Sequence, residues 1–239
     1  MLRLSDARNF GRTLTGLLLI AGPLLMLAAQ AVAPDTDNDD KLKELASIAA
    51  HKGTYVTSGV AFLLGGVCLM GAAIGVIRLF RGRRVGLGQI AGALLVLGGA
   101  ATVAFYTYGV IEYEMATQPG IDRAAMAQLL HKADTTPAQL PIMIMFVLGI
   151  VVGLALLGIA AWRRGIVPKW AAVAILISGP IAFLNSGKAT GIASFLILAA
   201  GLGALGLAAL RMTDEQWDAP REAPAPSPLT TAPQPSPVV

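Results

Sequence analysis

The sequence is short of the residues that let a chain live in water. Charged side chains make up only 13% of it and aromatics 6%, against 55% apolar residues, a balance that excludes an ordinary soluble domain. A single cysteine, Cys68, lies inside an apolar run, which rules out an intramolecular disulfide and a cysteine-based metal site. Also missing are a Ser–His–Asp set, an HExxH or P-loop motif, and any pair of carboxylates inside an apolar run. Those absences argue against an enzyme, a proton-coupled pump and a resident cofactor. The net charge of +4 comes from short basic clusters between apolar runs rather than from one polar face, which is not the footprint of a nucleic-acid binder.

What is present is a series of long apolar stretches. A helix rises about 1.5 Å per residue, so crossing a hydrocarbon core of roughly 30 Å takes about 20 apolar residues. Six stretches qualify: Thr13–Ala33, Tyr55–Ile77, Val85–Tyr108, Leu140–Trp162, Trp170–Gly187 and Ala189–Leu210, none with a charge near its middle. They lack period-2 alternation, and backbone groups in lipid must be bonded within their own segment, so helices rather than barrel strands are expected. The expected fold is an all-α polytopic bundle of six transmembrane helices over residues 13–211, in contact with membrane lipid. A short N-terminal segment, 1–12, precedes it and a tail, 212–239, follows.

Positive flanks stay cytoplasmic. Arg3, Arg8, Arg12, Arg78, Arg81, Arg83, Arg84, Arg163, Arg164, Lys169, Arg211 and Arg221 fall on one side, twelve of the eighteen basic residues; Lys41, Lys43, Lys52, Arg123, Lys132 and Lys188 fall on the other. Both termini are therefore expected in the cytoplasm. The first span also fits a signal peptide, with Ala31-Val32-Ala33 as its cleavage site, although Pro34 would follow the cut.

The exterior loops 34–54 and 111–139 are long enough to carry short helices. In the first, Asn38 or a neighbouring Asp caps a face of Leu42, Leu45, Ile48 and Ala49, and Gly53 stops it. In the second, Asp122 caps a run with Met126, Leu129 and Leu130 on one face, and Thr136-Pro137-Ala138-Gln139 has capping-box spacing. The acidic run Asp35-x-Asp37-x-Asp39-Asp40 begins like a calcium loop, but Asp40 stands where that loop needs Gly and Ala46 where it needs Glu. Beyond Met212, seven prolines between Pro220 and Pro237 prevent a packed core, and the tail is expected to be disordered.

Leu19-Ile20-Ala21-Gly22-Pro23 in the first span matches Leu176-Ile177-Ser178-Gly179-Pro180 in the fifth, and the even spans end alike in Arg. His51 and His131, each followed by Lys, precede even spans. These matches suggest three hairpins repeated in parallel orientation. Proline inside a spanning helix frees carbonyls that can line a cavity, so Pro23, Pro180, Asn185 and Thr102 are candidate cavity residues, although such prolines also occur without function. His51 and His131 are a candidate exterior pH-responsive pair. Gly71/Gly75, Gly88/Gly92, Gly149/Gly153 and Gly187/Gly191 have the spacing that lets helix backbones approach, either within the chain or toward a protein partner or second copy. Glu112, Tyr113 and Glu114, with Tyr106 and Tyr108 below, read as a wet interfacial belt.

At Trp162-Arg163-Arg164-Gly165-Ile166-Val167-Pro168-Lys169-Trp170, leading into Ile177-Ser178-Gly179-Pro180, the chain resembles a group of uncharacterised small bacterial six-helix integral membrane proteins. That resemblance extends loosely over residues 8–211. It implies a bacterial inner-membrane protein of unassigned function and transfers no functional residues. A non-enzymatic structural, accessory or partner-binding membrane component is the expectation, with a small transporter or channel for a neutral or apolar solute as its alternative.

Overall fold

The computed structural model describes residues 6–35, 40–81, 86–183 and 187–218. Among them every regular element is a helix. In chain order these are α1 (Ala7–Val32), α2 (Lys41–Ala50), α3 (Lys52–Leu79), α4 (Leu87–Thr117), α5 (Arg123–Asp134), α6 (Leu140–Phe146), α7 (Gly153–Arg164), α8 (Lys169–Phe183), α9 (Lys188–Arg211) and α10 (Asp214–Asp218). A single π-helical turn, Val147–Val152, joins α6 to α7, and a short 3₁₀ turn, Pro137–Gln139, leads into α6. Five of the resulting rods are long and apolar enough to cross a membrane. The sixth apolar helix, α8, has 15 residues, about 22 Å at 1.5 Å per residue.

The long helices form a closed ring in chain order. Helix α1 packs on α3, α3 on α4, α4 on α6 and α7, α7 on α8, α8 on α9, and α9 returns to α1. Lipid offers no hydrophobic drive for helix association, so the seams must be held by close packing, which favours small residues. Such residues occur at each seam. On the α1–α9 seam, a Cβ on Gly206 would lie 2.6 Å from the Gly16 carbonyl oxygen. Gly98 and Gly149 bring α4 into backbone contact with the π-helical turn. Gly71, Gly75, Gly88, Gly92, Gly149 and Gly153 all face neighbours within the chain, whereas a Cβ added to Gly187 would point into open space. Large apolar side chains such as Leu17, Leu24, Val67, Ile74 and Leu196 point outward and are exposed, the inverse of a soluble surface.

Local chemistry sets the element ends. Asp40 and Asp122 accept from the first free N–H groups of α2 and α5, at Leu42, Lys43 and Ala124. Gly165, at φ +61°, ends α7 in the left-handed conformation, which a glycine adopts without strain. Pro23 and Pro180 remain inside α1 and α8.

Several expectations are corrected. Helix α4 runs nine residues past Tyr108, to Thr117, because apolar and helix-favouring residues continue there and pack under α2 and α5. Gly53 does not stop the first loop helix. That helix ends at Ala50, and Gly53 lies in the first turn of α3, where its exposure makes it tolerable. Thr136 forms no side-chain cap, since its hydroxyl donates to the Lys132 carbonyl at 2.8 Å instead. The chain also stays folded beyond Met212: α10 lies against α1, with Trp217 buried and Asp214 paired to Arg12 at 3.2 Å. Asp37, Asn38, Asp39, Arg83, Arg84, Asn185 and the Pro-rich tail from Pro220 lie outside the described residues.

Candidate functional site

At the end of the ring that carries α2 and α5, a cavity of about 520 Å³ opens between the last turns of α1, the first turns of α3 and the last turns of α4. The chain has four tyrosines, and Tyr55, Tyr106, Tyr108 and Tyr113 all line it, with Phe62, Phe105 and Glu112. Small residues make room for the rings. Tyr106 lies across Gly59, with its Cε2 3.2 Å from where a Cβ would sit, and the Tyr55 hydroxyl occupies the equivalent space over Gly109. Tyr55 crosses from α3 to donate to Glu112 Oε2 at 2.8 Å, and its ring stacks on Tyr113 with centroids 6.4 Å apart and planes 13° from parallel.

Helices α2 and α5 close over this end through a small core of Leu45, Ile48, Ala116, Ala127 and Leu130. An ion network ties them to α4. Lys41 Nζ lies 2.8 Å from Glu44 Oε2 and 2.9 Å from Asp134 Oδ2, and Tyr108 donates to Asp134 Oδ1 at 2.6 Å. Burial alone would lower the Lys41 pKa, but the bonds to Asp134 and Glu44 outweigh it and hold the ammonium above its ordinary value. Asp40 is displaced the other way, below the usual carboxylate range, chiefly by the Lys43 N–H.

Beneath the cavity the ring is filled. Two edge-to-face pairs, Phe62 with Phe195 at 5.8 Å and Phe105 with Phe146 at 5.6 Å, form an aromatic layer. Phe62, Phe146 and Phe195 also border a void of only about 40 Å³ on the ring axis, lined further by Thr102, Ser178 and Ser194. The three hydroxyls bond back to carbonyls of their own helices, at Gly98, Ile175 and Gly191, so they are satisfied within the helices that carry them.

Of the candidate cavity residues, Thr102 borders this small axial void. Pro23 is buried in α1 and Pro180 half-buried in α8, and neither lines the 520 Å³ cavity. His51 and His131 are both exposed. His51 Nδ1 lies 3.0 Å from the Ser47 carbonyl oxygen, and among the described residues no hydrogen bond joins the two histidines. Lys188 reaches across to donate to the Ala33 carbonyl at 2.6 Å, beyond the end of α1. Among the described residues, no group of three or more His, Cys, Asp or Glu could hold a metal. Glu112 was expected to be wet and is instead half-buried under Tyr55. The one signal for this site in the sequence is that every tyrosine falls at residue 55 or within 106–113.

A ring of apolar rods with outward-facing Leu, Val and Ile and a pocket at one end defines a multi-pass α-helical membrane protein. Within that class, a model of the domain of unknown function DUF4386 matches residues 14–210, and the chain belongs to that family. No curated protein and no solved structure matches it.

Proposed function

We propose that this is a bacterial plasma-membrane protein without catalytic activity, crossing six times with both termini cytoplasmic, that binds a small molecule in a pocket facing the exterior. The observation that carries the reading is the 520 Å³ cavity in which all four tyrosines meet a half-buried carboxylate. Its volume and mixed lining suit a compact, partly apolar ligand. The basic flanks support the orientation, because the clusters rich in Arg belong to the end opposite the cavity. The place of α8 in the ring, between α7 and α9, supports a sixth crossing despite its length. Three successive hairpins would build the same ring order, although Gly22 faces the helix that follows it and Gly179 the one that precedes it.

The small axial void below the phenylalanine layer supports a second reading, in which the pocket is the outer station of a transporter closed in this state. For the first reading the test is chemical. Ser58 lines the cavity and is buried, so a Ser58→Cys chain in a Cys68→Ser background carries one thiol there. Small membrane-impermeant thiosulfonates added to intact cells should modify it. Reaction only after lysis would overturn the orientation, and reaction only after denaturation would overturn the open pocket.

A further inference from the structure

We propose that the pocket binds a small organic cation, an alkyl- or arylammonium whose charged head lies against Glu112 and whose apolar body lies against the tyrosine and phenylalanine rings. This deepens the binding reading above and rests on it. The first argument is a charge deficit. Glu44, Asp134 and Glu112 converge where the cap meets the pocket, and the one ammonium engaged there, Lys41, is already divided between Glu44 and Asp134. Among the described residues Glu112 takes one hydrogen bond, from the Tyr55 hydroxyl, and no Lys or Arg lies in contact with it; Lys41, bonded to Glu44 and Asp134, reaches it only through space. A carboxylate drawn away from water needs a counter-charge, and a ligand can supply one.

The second argument is the lining. Aromatic faces attract cations through the ring quadrupole, and quaternary ammonium groups are held by several rings at once. Tyr55, Tyr106, Tyr108 and Tyr113 surround the same space as Glu112, and Phe62 and Phe105 floor it. An anionic ligand would meet Glu112 and Glu114 with no opposing cation in the lining. A neutral apolar ligand would displace water from the half-buried carboxylate and leave it the Tyr55 hydrogen bond alone, so that it would have to take up a proton or remain an unpaired charge.

The test uses the full-length protein in phosphatidylglycerol nanodiscs, with benzyltrimethylammonium as the probe and benzyl alcohol as its neutral comparison, followed by equilibrium dialysis. Saturable binding of the cation that weakens at least tenfold in Glu112→Gln, with benzyl alcohol unaffected by the substitution, is the expected result. Equal affinity of wild type and Glu112→Gln for the cation, or no saturable binding, overturns the proposal. A second measurement leaves Glu112 in place. At Ser58→Cys, a trimethylammonium thiosulfonate should react at least tenfold faster than a sulfonate-bearing one, relative to the same reagents on a free thiol. If both react equally, the pocket exists but is not cation-selective; if neither reacts, the pocket reading itself falls. Adding phosphatidylethanolamine to the discs separates two sources of the ligand. Competition with the probe assigns the site to a lipid headgroup, and its absence assigns it to a free cation.

Discussion

The contact between Gly98 and Gly149 makes a quantitative test of how the ring is held. A Cβ added to Gly149 would overlap the backbone N and Cα of Gly98 and come within 2.8 Å of the Leu94 carbonyl oxygen. Backbone cannot rotate out of the way as a side chain can. Restoring ordinary contact requires α4 and the π-helical turn to part by on the order of 1 Å, which weakens dispersion contacts along the seam. Overpacking of this kind costs about 3 kcal/mol at the upper end of its usual range. Alanine recovers about 1 kcal/mol over glycine through helix propensity, leaving Gly149→Ala roughly 2 kcal/mol less stable. For a chain of this size each kcal/mol moves the melting point by about 2–4 °C, so a fall of roughly 4–8 °C is expected. Gly203 provides the opposite case, because nothing lies within 4 Å of its Cβ position; Gly203→Ala should melt at or above wild type. Both can be read by heating the purified protein in mild detergent and measuring the fraction that stays monodisperse on size-exclusion chromatography. A Gly149→Ala chain that melts with wild type, or a Gly203→Ala chain that falls as far, would refute the packing argument.

The remaining predictions concern the cap and its supports. Lys41→Met leaves Glu44 and Asp134 without their shared cation, so trypsin should cut at Arg123 and Lys132 several-fold faster while the melting of the ring changes little. Because the folded pKa of Lys41 is raised, its tie is complete below the unfolded value of about 10.4 and is lost as pH rises through the folded one; limited proteolysis of α2 and α5 by an alkaline-active protease, relative to an unfolded substrate at the same pH, should quicken only in that alkaline window. Tyr55→Phe deletes the bond to Glu112, worth about 1 kcal/mol for a half-buried carboxylate, and should lower the melting point by a few degrees. Trp217→Ala, at a side chain only 5% exposed, removes about 3 kcal/mol of burial; it should release α10, seen as protease sensitivity between Met212 and Asp218.

The membrane-spanning architecture was legible because it depends on composition and length, and an apolar run without charge says the same thing in any context. The cap of α5 was legible at Asp122, and that of α2 only to within the acidic run, as Asn38 or a neighbouring Asp, where the cap is Asp40; a cap reaches only two or three residues along the chain. The pocket was not. Tyr55 and Glu112 are 57 residues apart, and nothing local to either reports that α3 and α4 lie side by side with both residues at the same end. The same blindness made Glu112 and Tyr113 read as an interfacial belt: their spacing from the third span stopped where apolar continuity stopped, whereas the helix continued because α2 and α5 supplied a surface to pack on. The tie made by Lys188 was illegible for a related reason. Its acceptor, the Ala33 carbonyl, lies just past the end of α1, 155 residues earlier.

The closure of the ring by its first and last members has a consequence for synthesis. The face of α1 that carries Gly16 and Leu19 finds its partner only when α9 is complete, after the ribosome has added about 180 further residues. At roughly 5–20 residues per second that interval is on the order of 10–35 s. Throughout it the nascent bundle is an open arc, with one edge of α1 presented to lipid and to any insertion factor that shields such edges. A ribosome stalled before Lys188 would therefore strand a C-shaped intermediate rather than a smaller finished bundle.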